Sequence, residues 1–111
     1  MRPDYVPQPG DVVWLNFDPQ LGHEQAGHRP ALVLSPARYN AARGMMLCCP
    51  MTSKIKGYAF EVVFAGNPPS AVLADQIKNV DWRARGAVLK GKVPPGVMAE
   101  VKAKIKALLE I

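Results

Sequence analysis

Residues 22–36 read GHEQAGHRPALVLSP, and the stretch changes character at its middle. The first half, with glycines at 22 and 27, is polar and carries Glu24, Gln25, His28 and Arg29. After Pro30 the chain turns apolar, Ala31-Leu32-Val33-Leu34, a short run that reads as a buried strand. Functional groups are commonly carried on a loop fixed to a rigid strand. A carboxylate, an imidazole and a guanidinium crowded into this joint make it the candidate site.

Upstream of the joint, Pro3, Pro7 and Pro9 exclude a helix or an interior strand from residues 1–9. Gly10-Asp11 then turns into a β-branched and aromatic strand, Val12 to Phe17. Asp18-Pro19 ends it and opens a long loop to Arg29. Downstream, the Ala31–Ser35 strand is followed by a short helical turn over Pro36–Arg43 and a third strand over Met45–Met51. Thr52 to Gly57 is a polar, basic loop.

Phe60–Phe64 reads as a strand between Gly57 and Gly66, and the segment 66–70 is a turn. Ala71–Val80 reads as one strand interrupted by Asp75, Gln76 and Lys78. Ala87–Val93 is the last strand, with Lys90 and Lys92 on one face. Pro94-Pro95-Gly96 introduces a helix whose Val97, Val101, Ile105 and Leu108 recur at helical spacing. Six or so short strands and one amphipathic helix predict a mainly β fold with short helices. A strongly bent sheet or small barrel is expected, with the helix covering one side.

A chain of 111 residues has room for one domain with a modest core, and 49% apolar residues argue for a packed globule. No apolar run approaches the ~20 residues of a membrane span, and no secretory signal opens the chain, so a cytoplasmic location is expected. Cys48 and Cys49 are neighbours that would point to opposite faces of a strand, which predicts buried, reduced thiols. Zinc-ligand spacings and the carboxylate clusters of metal nucleases are both missing, so neither metal nor cofactor is expected. The net charge of +5 and pI of about 9.5 point toward a polyanionic partner, nucleic acid or an acidic protein segment.

Arg29, at the base of a strand, offers a planar fork for two phosphate oxygens. In phosphodiester cleavage charge grows on those oxygens, and a fixed cation there lowers the barrier. Glu24 is a candidate base for a ribose 2′-hydroxyl, or simply the counter-charge of Arg29. His28 has the better intrinsic pKa for such work. Thr52 and Ser53 stand before the cations Lys54 and Lys56, a pairing that suits phosphate, although such hydroxyls often only cap a turn. Phe17 is by default a core residue that could stack on a base, and Trp14 and Trp82 read as core or interface.

Gly10 to Trp14, Phe17-Asp18-Pro19, Gly22 to Pro30, Val33-Leu34-Ser35 and Pro50-Met51-Thr52-Ser53, and later Leu73 to Ile77 and Arg83-Ala84-Arg85, form a pattern in this order. By that pattern the sequence resembles the MazF/PemK toxins. The likeness runs nearly end to end. The resemblance implies an SH3-like barrel that forms a homodimer and acts as the toxin of a type II toxin–antitoxin pair. It implies a metal-independent endoribonuclease that cuts single-stranded mRNA by 2′-hydroxyl attack, leaving a 2′,3′-cyclic phosphate and a 5′-hydroxyl. The family's catalytic arginine and threonine fall on Arg29 and Thr52, and the motif glutamate falls on Glu24. An arginine remains protonated at any ordinary pH, so Arg29 is better suited to clamping the transition state, and to acting as an acid, than to accepting a proton.

Gln25, His28, Ser53 and Gln76 are expected to contact RNA, with Lys54, Lys56 and Lys78 as candidates for its backbone. The resemblance also implies an antitoxin whose acidic, disordered tail covers the RNA groove. An alternative stays open: a non-cleaving SH3-like module acting on RNA or on a protein target such as gyrase. The joint presence of Glu24, Arg29 and Thr52 favours the nuclease.

Overall fold

The computed structural model describes residues 4–18, 22–23 and 27–111. The elements in chain order are β1 (Asp11–Asn16), β2 (His28–Val33), α1 (Ala37–Arg43), β3 (Met45–Thr52), β4 (Glu61–Phe64), β5 (Ser70–Leu73), β6 (Lys78–Asp81), β7 (Val88–Lys92) and α2 (Pro95–Leu109). Each strand pair among the described residues is antiparallel.

The sheet bends at β3. Along one edge it pairs with β2 through Cys48, Cys49 and Pro50. Along the other, Met45–Cys48 pair with β6, while Met51 and Thr52 pair with β5. Pro50, which has no N–H to donate, falls between the two partners. This change of partner curls the sheet into a half-barrel in the order β4-β5-β3-β2-β1-β7, with β6 joined to the side of β3. The expected mainly β barrel with a C-terminal helix is therefore present.

The central strands β1 and β3 bury residues on both faces, which explains why they read as nearly continuous apolar runs. One core joins Val12, Leu32, Cys49, Met51, Val62 and Val72 to Val97 and Val101 of α2. The other joins Val13, Leu15, Phe17, Ala31, Val33, Met46 and Cys48 to Trp82, with Tyr5 and Val6 packed against it. α2 thus covers the sheet as its spacing predicts, although Leu108 at its end remains 42% exposed. No helix among the described residues is long and apolar enough to cross a membrane.

Three sequence expectations change. The span from Ala71 to Val80 is two strands, because a turn over Ala74 and Asp75, closed by Gln76 N donating to the Leu73 carbonyl at 3.1 Å, carries the chain from one partner region of β3 to the other. β2 begins at His28 rather than Ala31, since β1 is long enough to pair Leu15 with Arg29 and Asn16 with His28. Pro30 is tolerated there because β3 joins β2 only from Ala31 onward. The segment after Pro36 is a full helix, ended by Gly44 at φ 66°, a left-handed conformation that suits glycine.

Candidate nucleic-acid interface

Arg29 lies inside β2, so its backbone is fixed by the ladder to β1. The loop leading to it is closed at its neck. Phe17 N donates to the Gly27 carbonyl at 2.9 Å, and Gly27 N donates to Asp18 Oδ1 at 2.7 Å. Arg85, on the turn before β7, donates from Nη1 to the carbonyls of Asn16 and Asp18, each at 3.0 Å. Glu24 and Gln25 lie outside the described residues.

The Arg29 Nη1 reaches the Met51 carbonyl at 3.5 Å, a long contact that sets the guanidinium beside the residue preceding Thr52. Thr52 ends β3, and its Oγ1 accepts from Lys54 N at 3.0 Å. The turn-capping role is real, yet it uses only an acceptor lone pair. Among the described residues no acceptor takes the hydroxyl proton.

Segment 53–60 carries the cations and is held from below by Glu61. This carboxylate, 7% exposed, accepts from three backbone amides: Gly57 at 2.7 Å, Lys56 at 3.1 and 3.2 Å, and Tyr58 at 3.2 Å. Burial pushes its pKa up, but the Lys56, Gly57 and Tyr58 amides and the Lys56 charge outweigh that, holding it below its ordinary value near 4.5. Lys104 of α2 donates to the Ala59 carbonyl and ties the same segment to the helix.

These elements enclose a groove of about 980 Å3. It brings together His28, Arg29, Thr52, Ser53, Lys54, Lys56 and Gln76 of the expected site residues. Phe17 and Lys78 are not among its lining. Phe17 is 2% exposed in the second core, so it presents no open face for stacking. Lys78 Nζ sits 6.0 Å from the Phe17 ring centroid.

Sequence reasoning missed Trp14, Lys90 and Lys92 as groove residues. The available signal was strand parity: Val13, Leu15 and Phe17 share one core, which leaves Trp14 on the opposite face of β1. Cys48 and Cys49 are buried on opposite sides of β3, as expected. Burial pushes both thiols up to about 12, so neither is an available nucleophile. Among the described residues no three of His, Cys, Asp and Glu are grouped to hold a metal ion.

A curled antiparallel sheet with a cationic groove over one arginine and one threonine is the class of protein at hand. Residues 8–109 match the family described as the PemK-like, MazF-like toxin of type II toxin–antitoxin systems. The chain belongs to that family. It is 56% identical to the endoribonuclease toxin MazF of Escherichia coli strain K12 over 106 residues, which cover 95% of this chain and 96% of that protein. Among solved structures, MazF of Deinococcus radiodurans superposes with a TM-score of 0.92 at 52% identity, covering 97% of this chain and all of that one. A MazE–MazF complex from the same organism gives 0.85 at 46% identity, covering 97% of this chain and 99% of that one.

Proposed function

We propose that this endoribonuclease toxin cuts single-stranded RNA by driving a ribose 2′-hydroxyl onto its own 3′-phosphate, with no metal ion taking part. The nucleophile is already part of the substrate, so no water has to be activated. The P–O5′ bond breaks as the O2′–P bond forms, leaving a 2′,3′-cyclic phosphate and a 5′-hydroxyl. Arg29 clamps the non-bridging oxygens, where negative charge grows, and is the candidate acid for the departing 5′-oxygen. Thr52 donates its hydroxyl to the same phosphate. Glu24 is the candidate base at O2′ or an orienting group for the ribose.

The observation that carries this reading is the Arg29 contact to the Met51 carbonyl, which sets the guanidinium next to Thr52 in one groove. Ser53, Lys54, Lys56 and Gln76 on the same walls would hold the strand on either side, with Gln25 contributing from the loop. With mRNA as its substrate, the cytoplasm is the location we assign to it. We further assign it a homodimeric state, supported by the apolar surface that Leu109 and Ile111 expose at the end of α2. Its partner is a cognate antitoxin with an acidic, disordered tail, supported by the MazE–MazF complexes among its relatives and by the +5 charge.

The test is to incubate the pure protein with short single-stranded RNA in EDTA and analyse the new ends. Cyclic phosphate on the 5′ fragment and a 5′-hydroxyl on the other are expected. Intact RNA, or cleavage that returns only with added metal, would overturn the mechanism.

A further inference from the structure

Trp14 differs from the chain's other tryptophan. Trp82 is 5% exposed and its indole N–H donates to the Asn40 carbonyl at 2.9 Å, so it is a satisfied core residue. Trp14 is only half-buried and lines the groove. It is flanked from the strands on both sides. The His28 ring of β2 stacks with it at 5.5 Å between centroids and 13° between planes. From β7, Lys90 Nζ lies 5.6 Å from the indole centroid. Both flanking residues are exposed groove residues, and His28 is the immediate neighbour of Arg29.

We propose that His28, held flat by Trp14, is the stacking platform for the base of a nucleotide next to the cleaved phosphate, and that Lys90 receives that nucleotide's own phosphate. The proposal rests on the endoribonuclease reading and adds a subsite to it. A cross-strand ring pair can also serve only to steady the end of a sheet. Such a pair gains nothing from lining a groove, however, or from an ammonium poised at its other flank. Single-stranded RNA is commonly bound by laying bases on aromatic rings beside cations. An imidazole already stacked on an indole has lost its rotamer freedom before the base arrives, so less affinity is spent on ordering it.

The experiment measures binding to a short RNA carrying a 2′-deoxy sugar at the mapped cleavage position, which removes the attacking hydroxyl. Abasic sites are then placed singly along it. In the wild type, one abasic position beside the cleaved phosphate should weaken binding roughly tenfold, while His28→Ala loses that sensitivity to within about twofold. His28→Phe, which stacks but cannot carry a proton, should restore it. Lys90→Gln should weaken binding at low salt without changing the abasic pattern. Binding should also alter tryptophan emission in the wild type and not in Trp14→Phe. If His28→Ala keeps the full abasic profile, or Phe fails to restore it, the subsite is wrong even where the wild type cleaves the matched all-ribose RNA. If the all-ribose RNA is bound but not cleaved, the nuclease reading fails, and an abasic scan of that uncleaved strand with one position sensitive to His28→Ala keeps His28 as a base platform of a binding groove. Loss of all RNA binding overturns both.

Discussion

A lysine at position 29 would keep the positive charge and lose the fork. Arg29 spans from β2 to the Met51 carbonyl, and its guanidinium carries five N–H donors in a planar fork. An ammonium there has one point of charge and no second parallel donor. Arg29→Lys should therefore bind RNA nearly as well but lower kcat by roughly 100-fold or more, the loss typical of removing one preorganised donor. Single-turnover cleavage with saturating protein separates the two effects, and an unchanged rate would remove Arg29 from the transition state. At this scale the polar cluster against an apolar run singled out Arg29 and His28, the basic loop after Thr52 singled out that hydroxyl, and the structure brings all three to one groove. Sequence reasoning read Phe17 as core by default, which holds, but left open the place of Trp14, since parity sets the two aromatics on opposite faces without saying which face the groove occupies.

At the scale of elements, the buried polar groups show what keeps the groove walls in place. Glu61 supports segment 53–60 through the amides of Lys56, Gly57 and Tyr58. Its folded-state pKa lies below the ordinary value near 4.5, so the native state favours the ionised form. That contribution to stability is complete above about pH 4.5 and is lost as pH falls through the lower folded value. Glu61→Gln should thus be less stable than wild type near pH 7, with the gap narrowing as the solution is acidified below pH 4.5, as denaturant melts would read. A gap that stays constant with pH would sink this account. Asn40 plays a similar part for α1. Fully buried, it accepts from the Ser35 hydroxyl at 2.6 Å and donates to the carbonyls of Pro7 and Ser35 at 2.8 and 3.1 Å. Asn40→Ala strands these partners and should cost about 2–4 kcal/mol in a urea melt. Neither role was legible beforehand. The bounds of short strands can be guessed from glycines and prolines, but the split of the 71–80 run into β5 and β6 depends on a change of partner along β3 that no local pattern records.

For the whole molecule, the basic balance read from composition gave a direction and not a place. The fold converts it into a place by setting Arg29, Lys54, Lys56, Lys90 and Lys92 around one groove while Lys78 stands outside its lining. These positions have unequal claims on a polyanion. Lys92 already pairs with the buried Asp11, and Lys56 Nζ sits 5.9 Å from the Tyr58 ring centroid on the segment that Glu61 fixes. Each lysine that neutralises a phosphate of single-stranded RNA releases condensed counterions and adds about 0.7 to the slope of log affinity against log salt. Lys56→Gln should flatten that slope by about 0.7, and Lys78→Gln should leave it unchanged within error. Measuring both over the same salt series tests the groove itself rather than the overall charge, since each variant removes one positive charge from the +5 total. An equal effect from the two would mean that RNA responds to net charge without tracking the groove. An acidic antitoxin tail that occupies this same groove, as proposed, would rank the two lysines in the same order when the series is repeated with it as ligand, whereas equal effects would put the tail elsewhere.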